Sequence, residues 1–455
     1  MGSEMCIRDS KRSTLVYYGL TELPIMMSIF PVLVFIPKFY TSDLGVPLAL
    51  ASTIILAVRI FDVITDPLCG YLCDRTHTRW GRRRPWIVAA APIIMLAVYK
   101  LFLPPDDAGA FYLGLWMLVM GIGTTMMIIP YYAWAAELST DYNERSRITG
   151  VRSFMGVAGN FLAQLIPLLA LWIWGIGGSG NVLTIVGITM LIVMPLCVLL
   201  TVSMVGETDN YESSSVPLLD GIRLMLENGP FLRLIIAFGI ASTALSMTTP
   251  LYLFFISFVL HAEDKAPYML ACFYTANLCS VPFWVWLSER IGKHRAYIGS
   301  FAIIGLAHPF YLLLGDGDFW WMLPITLTTG FAAGGFHALP NSMKADVIDV
   351  DHLKSGENRA GMFFATWSFT YKLAASFGTW LALAGLGWFS FDPSPENLNS
   401  PDQLFGLRFL FALAPSVFYL GACFAIWRYP ITAEKHAQVQ EQLQELEFRQ
   451  AAATE

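Results

Sequence analysis

The sequence predicts an all-α membrane protein whose twelve transmembrane helices form two pseudo-symmetric six-helix bundles. Hydrophobic residues make up 56% of the 455 residues and charged residues only 14%, whereas a soluble protein carries about 25% charged residues. A helix needs about 20 apolar residues to cross the hydrocarbon core of a bilayer. The stretches that approach or exceed this length run over 14–40, 47–73, 86–103, 111–137, 149–174, 182–205, 231–260, 268–288, 296–314, 319–345, 361–389 and 406–428.

The placement of Lys and Arg predicts the orientation of these helices. Basic residues cluster in the N-terminal segment, the even-numbered loops and the C-terminal tail, while the opposite side carries only Lys38, Lys100, Lys265 and Arg408. Because basic loops stay on the cytoplasmic side, we expect a multi-pass protein of the cell inner (plasma) membrane with both termini cytoplasmic. An odd number of helices would break this pattern.

Two internal echoes divide the chain into halves. The charged turn at 70–84 resembles 286–295, and the segment 130–150 resembles 340–361. Parallel halves of six helices are an established transporter plan, with the solute site between them. The predicted parts are a non-native leader (1–12), an N-terminal bundle (13–205), a cytoplasmic linker (206–230), a C-terminal bundle (231–429) and a cytoplasmic tail (430–455). The tail is predicted to form a solvent-exposed amphipathic helix capped by Thr432.

Three ionisable residues share one face of the second span. Arg59, Asp62 and Asp66 are spaced by three and four residues, which places them above one another on a helix. Such groups within the membrane cost about 2.5–3.5 kcal/mol each and usually mark a transport pathway. Two carboxylates one turn apart repel each other unless a cation or a proton lies between them. The pattern predicts a site for Na⁺ or H⁺; the alternative is a structural ion pair with Arg59.

Further candidates for coupling and solute binding lie in other spans. Lys372 is the only lysine deep in the second half, and a buried ammonium needs an acidic partner, for which Asp62 and Asp66 are the candidates. Arg152 begins span five, where its side chain can reach a cavity. Aromatic candidates that can stack on a sugar ring are Tyr132, Trp134 and Tyr371.

The charged turn after span two, together with the acids and the arginine after span four, predicts a latch between helix ends. In this interpretation the charges change partners as the two halves move; the alternative is that the basic residues only fix topology. The predicted gating residues are Asp74, Arg75, Arg82, Glu137, Asp141 and Arg145.

The same region carries a family resemblance. The run from Arg59 to Thr76, followed by 79–86, resembles the glycoside–pentoside–hexuronide:cation symporter family (melibiose permease-like) of the major facilitator superfamily. The segments 130–138 and 141–145 are similar to the helix-four pattern of that family. The resemblance implies the major facilitator fold and a cation-coupled sugar or glycoside transporter.

By this resemblance, Asp62 and Asp66 correspond to the cation-binding acids of helix two, and Thr125 to a helix-four hydroxyl that helps to bind sodium. Lys372 corresponds to a lysine that links the cation and sugar sites, and Arg152 to an arginine near the sugar. The resemblance also implies galactoside-binding acids on helices one and four. This chain instead has apolar residues at those places, namely Ile25, Met26 and Ile128.

The sequence therefore predicts a secondary active symporter that moves a sugar, glycoside or sugar acid with Na⁺ or H⁺ by alternating access. Lys372 and Arg152 without the galactoside-binding acids leave open an anionic solute, and the family resemblance also leaves open a lipid or lysolipid. A non-transporting membrane receptor is the alternative from another class. We expect no enzyme activity, no cofactor, no metal beyond a transported Na⁺, no nucleic-acid partner and a monomer in the lipid bilayer.

Overall fold

Helices account for nearly all of the chain that the structure describes. The computed structural model describes residues 12–76, 78–138, 142–175, 178–207, 228–355, 360–394, 399–432, 434–436 and 438–443. Within these ranges there are helices and connecting segments, and no β-strand beyond an isolated bridge between Thr78 and Gly81. A helix satisfies its backbone hydrogen bonds internally, which is what a segment in hydrocarbon requires.

The chain divides into two compact units, of which the first covers 1–213 and 393–397. Its helices all run through apolar sequence and carry their ionisable residues at few positions. They are α1 (Arg12–Gly19), α2 (Glu22–Lys38), α3 (Leu48–Arg75), α4 (Arg84–Phe102), α5 (Ala110–Leu138), α6 (Tyr142–Trp174) and α7 (Ser179–Met204).

The first predicted span is interrupted between α1 and α2. Pro24 lacks an amide hydrogen and its ring disfavours a regular helix over the preceding turn, and the interruption falls at Leu20 and Thr21. The Thr201 hydroxyl of α7 donates to the Tyr17 carbonyl at 2.7 Å and accepts from the Thr21 hydroxyl at 2.8 Å. The backbone carbonyl exposed by the break is thus satisfied inside the unit, and Glu22 stands at the start of α2.

The second unit covers 214–392 and 398–455. Its helices are α8 (Gly229–Phe258), α9 (Ala266–Ile291), α10 (Lys293–Ala307), α11 (Met322–Ser355), α12 (Ala360–Trp388), α13 (Pro401–Arg408) and α14 (Ala414–Ile426). Its core contains a stack of aromatic rings, in which Phe238 lies 4.0 Å from Trp367 and 5.8 Å from Phe336 between ring centroids. Offset aromatic pairs of this kind stabilise helix contacts beyond their apolar area.

Every predicted apolar stretch contains helix, and ten helical segments of the described chain are long and apolar enough to cross a membrane. The segments α11 and α12 fall outside these ten although they have 34 and 29 residues. Glycine, threonine and other weakly apolar residues lower their mean hydropathy. The described chain therefore has the helices of a multi-pass membrane protein, and ten of the twelve predicted spans meet both the length and the hydropathy expected of a membrane helix.

The tail packs against the second unit, so the prediction that it is solvent-exposed is wrong for its apolar side. Residues 434–436 and 438–443 are helical, and the Thr432 hydroxyl accepts from the Lys435 amide at 3.3 Å, as an N-cap does. Val439 is only 7% exposed and belongs to the core of this unit. The weak apolar stripe is buried because the unit offers it an apolar surface.

Polar contacts hold the same tail segment on α11. His436 Nε2 lies 3.0 Å from Asp349 Oδ2 and 3.4 Å from Asp346 Oδ1. Gln440 donates to Asp349 at 2.7 Å, and Lys293 Nζ lies 2.6 Å from Asp346 Oδ1. Asp346 and Asp349, two acids of the second internal echo, thus contact the tail or the start of α10.

A remote acid caps the start of α4. The amides of Arg82 and Arg84 donate to the Glu207 carboxylate at 2.6 and 2.7 Å, and that of Arg83 at 3.1 Å. The N-cap residue, Arg83, provides no side-chain cap of its own. Because the first amides of a helix lack partners within the helix and favour negative charge, Glu207 stabilises this end.

We expect Glu207→Gln to lower the free energy of unfolding by about 1–2 kcal/mol, because the amide keeps one acceptor oxygen and loses the charge. Thermal unfolding of the purified protein in detergent measures the change. The control is Glu289→Gln, an exposed acid at the end of α9, which should shift stability by no more than about 0.5 kcal/mol. Equal effects of the two substitutions would contradict the capping role.

Candidate cation and solute site

Asp62 lies inside the first unit and is paired on its own helix. The residue is 5% exposed, and its Oδ2 accepts from Arg59 Nη1 at 3.2 Å. The Arg59 side chain is 31% exposed, so the carboxylate is buried while the guanidinium reaches the surface of the unit. Both the predicted cation site and the alternative ion pair are compatible with this contact between Arg59 and one carboxylate oxygen of Asp62.

Asp66 is held by the neighbouring helix. The Thr125 hydroxyl of α5 donates to Asp66 Oδ1 at 2.9 Å. The Cys69 thiol, one turn further along α3, lies 3.8 Å from the Thr125 carbonyl oxygen. The structure therefore brings together Asp66 and Thr125, two residues that sequence reasoning named from spans two and four.

The two aspartates face the same side of α5. Asp62 faces Gly121, where a Cβ atom would lie 2.5 Å from Asp62 Oδ1. Asp66 faces Thr125, one turn further along α5. The spacing of four residues on both helices gives two adjacent contacts, one at Asp62 and one at Asp66. The absence of a side chain at Gly121 is what leaves room for the Asp62 carboxylate.

A small pocket opens beside Asp62. It is lined by Arg59, Asp62, Gly121 and Thr124 together with apolar side chains of α2, α3 and α5. Carboxylate and hydroxyl oxygens are the ligands that hard cations prefer. Within the described ranges, no group of three or more His, Cys, Asp or Glu side chains is arranged to hold a metal. The candidate oxygen set consists of Asp62, which lines the pocket, and of Asp66 and Thr125, which lie one turn further along α3 and α5.

A second polar cluster lies between α2, α5 and α6. The Tyr132 hydroxyl donates to Glu22 Oε1 at 2.8 Å, and the Arg152 guanidinium carbon lies 4.0 Å from the centroid of the Tyr132 ring. Glu22 is 5% exposed. The structure thus joins the predicted residues Tyr132 and Arg152 and adds Glu22, from the start of α2.

The other solute candidates lie elsewhere. Trp134 is fully buried, and its indole lies 3.4 Å from the Gly206 carbonyl and 5.8 Å from the Arg84 guanidinium. Its ring is therefore part of the packing around the start of α4. In the second unit, Tyr371 is 41% exposed and Lys372 is half-buried on α12.

The gating candidates are described only in part. Arg75 stacks on the Tyr71 ring of its own helix at 4.3 Å, and the Arg82 amide contacts Glu207. Asp141 lies outside the described residues. The structure describes the backbone, but not the side chains, of Asp74, Glu137 and Arg145, which lie in α3, α5 and α6. Their predicted gating role stays a prediction.

Comparison with known proteins identifies the family. Residues 17–433 match the family described as MFS/sugar transport protein. This chain belongs to that family. The match spans both units, so the predicted family and the all-α membrane fold are confirmed, and the MFS/sugar transport member described here is a multi-pass membrane protein.

Relatives of this MFS/sugar transport member differ in what their names say they carry. It is 26% identical to a sodium-dependent lysophosphatidylcholine symporter from Mus musculus, over 90% of this chain and 84% of the relative. It is also 26% identical to an isoprimeverose transporter from Lactiplantibacillus pentosus, over 79% of this chain and 77% of the relative. The two names cover a lipid and a sugar at the same level of identity.

Solved structures support the fold of this family member. The nucleoside transporter NupG superposes with a TM-score of 0.66 at 12% identity, over 92% of this chain and 100% of its own. A bacterial homologue of the lysosomal transporter Spinster, in an inward-facing conformation, superposes with a TM-score of 0.65 at 14% identity, over 93% and 100%. At these identities the likeness concerns fold alone.

Proposed function

We propose that this protein is a cation-coupled symporter of the inner membrane and that its cation binds at Asp62, Asp66 and Thr125. The observation that carries the proposal is the pair of adjacent contacts between α3 and α5, which holds two carboxylates and a hydroxyl inside one unit of apolar helices. Ionisable groups kept within a membrane at such a cost usually mark an ion pathway. The names of two sodium-dependent or sugar-transporting relatives support the same function.

Binding of Na⁺ or H⁺ changes the charge balance of the site. Two carboxylates repel each other across one helical turn, and a cation between them removes that repulsion. Arg59 balances Asp62 in the absence of the cation. Coupling requires that the cation and the solute favour the same conformational state. Lys372 is the proposed coupling residue of the second unit, on the family resemblance, and a monomer with cytoplasmic termini is the proposed arrangement.

The solute is proposed to be a sugar, glycoside or sugar acid bound in part by Arg152 and Tyr132. A guanidinium over an aromatic ring presents both donors and an apolar face. The second candidate is a lysolipid. It is favoured by the similarity to a sodium-dependent lysophosphatidylcholine symporter, which extends over 90% of this chain. The apolar residues Ile25, Met26 and Ile128 suit either a solute with fewer hydroxyl contacts or an apolar one.

We expect Asp66→Asn and Asp62→Asn each to weaken sodium binding at least tenfold, because each removes a charged ligand worth about 1.5–3 kcal/mol. The measurement is the sodium dependence of the melting temperature of the purified protein. Asp107→Asn, an exposed acid between α4 and α5, is the matched control and should behave as wild type. Unchanged sodium dependence in both site variants would refute the site.

The same thermal-shift assay separates the two solute classes. A panel of glycosides, pentosides, uronates and lysolipids is added with and without sodium, because a coupled solute stabilises the protein more when its cation is present. Stabilisation by a sugar or sugar acid supports the first candidate. Stabilisation by lysolipids alone would support the second, and Arg152→Gln should reduce either response if the solute contacts that guanidinium.

A further inference from the structure

Glu22 is a buried carboxylate that the Asp62–Asp66 site does not use. It lies at the start of α2 and is 5% exposed. Its Oε1 accepts from the Tyr132 hydroxyl. Its Oε2 is buried and has no hydrogen-bond partner among the described residues. Because a buried polar oxygen without a partner is costly, this oxygen points to something that binds there.

The surroundings of Glu22 supply one positive charge and several hydroxyls. Arg152 of α6 interacts with the carboxylate through its charge, yet its guanidinium lies over the Tyr132 ring. Tyr18 of α1 and Tyr131 of α5 each donate their hydroxyl to the other's backbone carbonyl, at 2.6 and 2.7 Å. Because these two hydroxyls donate to backbone carbonyls, neither of them donates to Glu22 Oε2.

The hydrogen bond from Tyr132 is compatible with both the ionised and the protonated form of Glu22. The Tyr132 hydroxyl donates to Oε1 whether that oxygen belongs to a carboxylate or is the carbonyl oxygen of a carboxylic acid. The proton then resides on Oε2, the oxygen that lacks a partner. Tyr132 and Arg152 are half-buried, so the cluster reaches the surface of its unit and a proton can be delivered there.

We propose that Glu22 is a proton-binding site separate from the cation site at Asp62, Asp66 and Thr125. Hydronium transfers its proton to Glu22 Oε2, which gives a carboxylic acid and water, and release reverses this step. This inference rests on the proposed symporter function, because the proton is taken up on one side of the membrane and released on the other.

Protonation changes the charge available to a solute. The pair of Glu22 and Arg152 is neutral when the acid is ionised and carries one positive charge when the acid is protonated. An anionic group on the solute is favoured by the second state and disfavoured by the first. Proton and anionic solute therefore bind cooperatively, and the solute class that this site takes is one with a carboxylate or a phosphate.

The test records infrared difference spectra of the protein in lipid nanodiscs as pH is changed, with sodium as the only other ligand. We expect the C=O band of a buried carboxylic acid to gain intensity as pH falls, and to lose it as pH rises, in wild type and in Asp66→Asn. The band should be absent in Glu22→Gln. The band should persist when sodium is saturating. Loss of the band in Asp66→Asn, or its persistence in Glu22→Gln, would overturn the assignment.

A second variant keeps the inference testable if Glu22→Gln does not fold. Tyr132→Phe removes the hydrogen bond that favours the ionised acid, so the midpoint of the Glu22 band should rise by about one pH unit. An unchanged midpoint would contradict the proposed site. A sodium response lost in Asp62→Asn with no Glu22 band in any variant would support the proposed function and refute this inference alone.

The solute class is tested by adding glucuronate, glucose or a lysophospholipid at two pH values. Stabilisation by an anionic probe should grow as pH falls through the midpoint of the band, whereas glucose should show no such dependence. Glucuronate and the lysophospholipid distinguish a sugar acid from a lipid headgroup. Anionic probes that bind equally well above and below the midpoint would refute cooperative binding.

Discussion

Gly121→Ala is expected to abolish most of the sodium-dependent stabilisation of the purified protein while leaving its helices intact. The new Cβ atom would lie 2.5 Å from Asp62 Oδ1. Non-bonded carbon and oxygen atoms do not approach so closely, so one of the two side chains must move. The Asp62 side chain must therefore leave its position, and the oxygen set loses one carboxylate. We expect sodium affinity to fall at least tenfold, which corresponds to about 1.4 kcal/mol or more.

Gly114→Ala is the matched control for this substitution. Gly114 lies on the same helix. A Cβ atom added there would lie 3.6 Å from a methyl group of Ile54, which is an ordinary van der Waals distance. Its sodium response should equal that of wild type, and alanine should favour the helix slightly. A normal sodium response in Gly121→Ala would show that Asp62 in this position is not needed for cation binding.

The second large effect is expected at the contact between α2 and α6. A Cβ atom at Gly159 would overlap the Leu23 carbonyl oxygen, and a backbone atom cannot move aside as a side chain can. We expect Gly159→Ala to lower the free energy of unfolding by about 3 kcal/mol, the upper part of the range for overpacking. The fall in melting temperature and in folded yield measures this effect.

Gly150→Ala tests whether the loss arises from close packing. Gly150 lies on the same helix with no atom within 4 Å of a Cβ position, so alanine should stabilise the protein by up to about 1 kcal/mol. The two substitutions should therefore have opposite signs. If both are tolerated, α2 and α6 are not in the close contact that places Glu22 beside α6.

The charged residues of span two show which parts of the candidate site can be predicted from the sequence. The spacing of Asp62 and Asp66 predicted one face of one helix, and the structure shows that this face of α3 lies against α5. Thr125 followed only from the family resemblance, because a threonine in an apolar span gives no pattern that predicts a cation ligand. Gly121 was not named, since a glycine acquires meaning only when its neighbour across the helix interface is known.

Remote contacts account for what the sequence left open. Nothing near Glu22 in sequence reveals that Tyr132 and Arg152 meet it, because these residues come from helices far along the chain. The acid cap of α4 has the same origin, although the absence of Ser, Thr, Asp or Asn before Arg84 was a sequence signal that a partner comes from elsewhere. The burial of Val439 likewise depends on the surface that the tail meets.

The acid cap at Glu207 has a consequence for biogenesis. Glu207 follows Arg84 by 123 residues, so during synthesis it emerges from the ribosome after α4, α5, α6 and α7. Until then the arginine-rich loop carries its positive charge without this carboxylate, and the positive charge of loops is what biases the orientation of membrane helices. The acid cap of α4 therefore forms only after α7 has been synthesised, and it does not reduce the charge of the loop before that point.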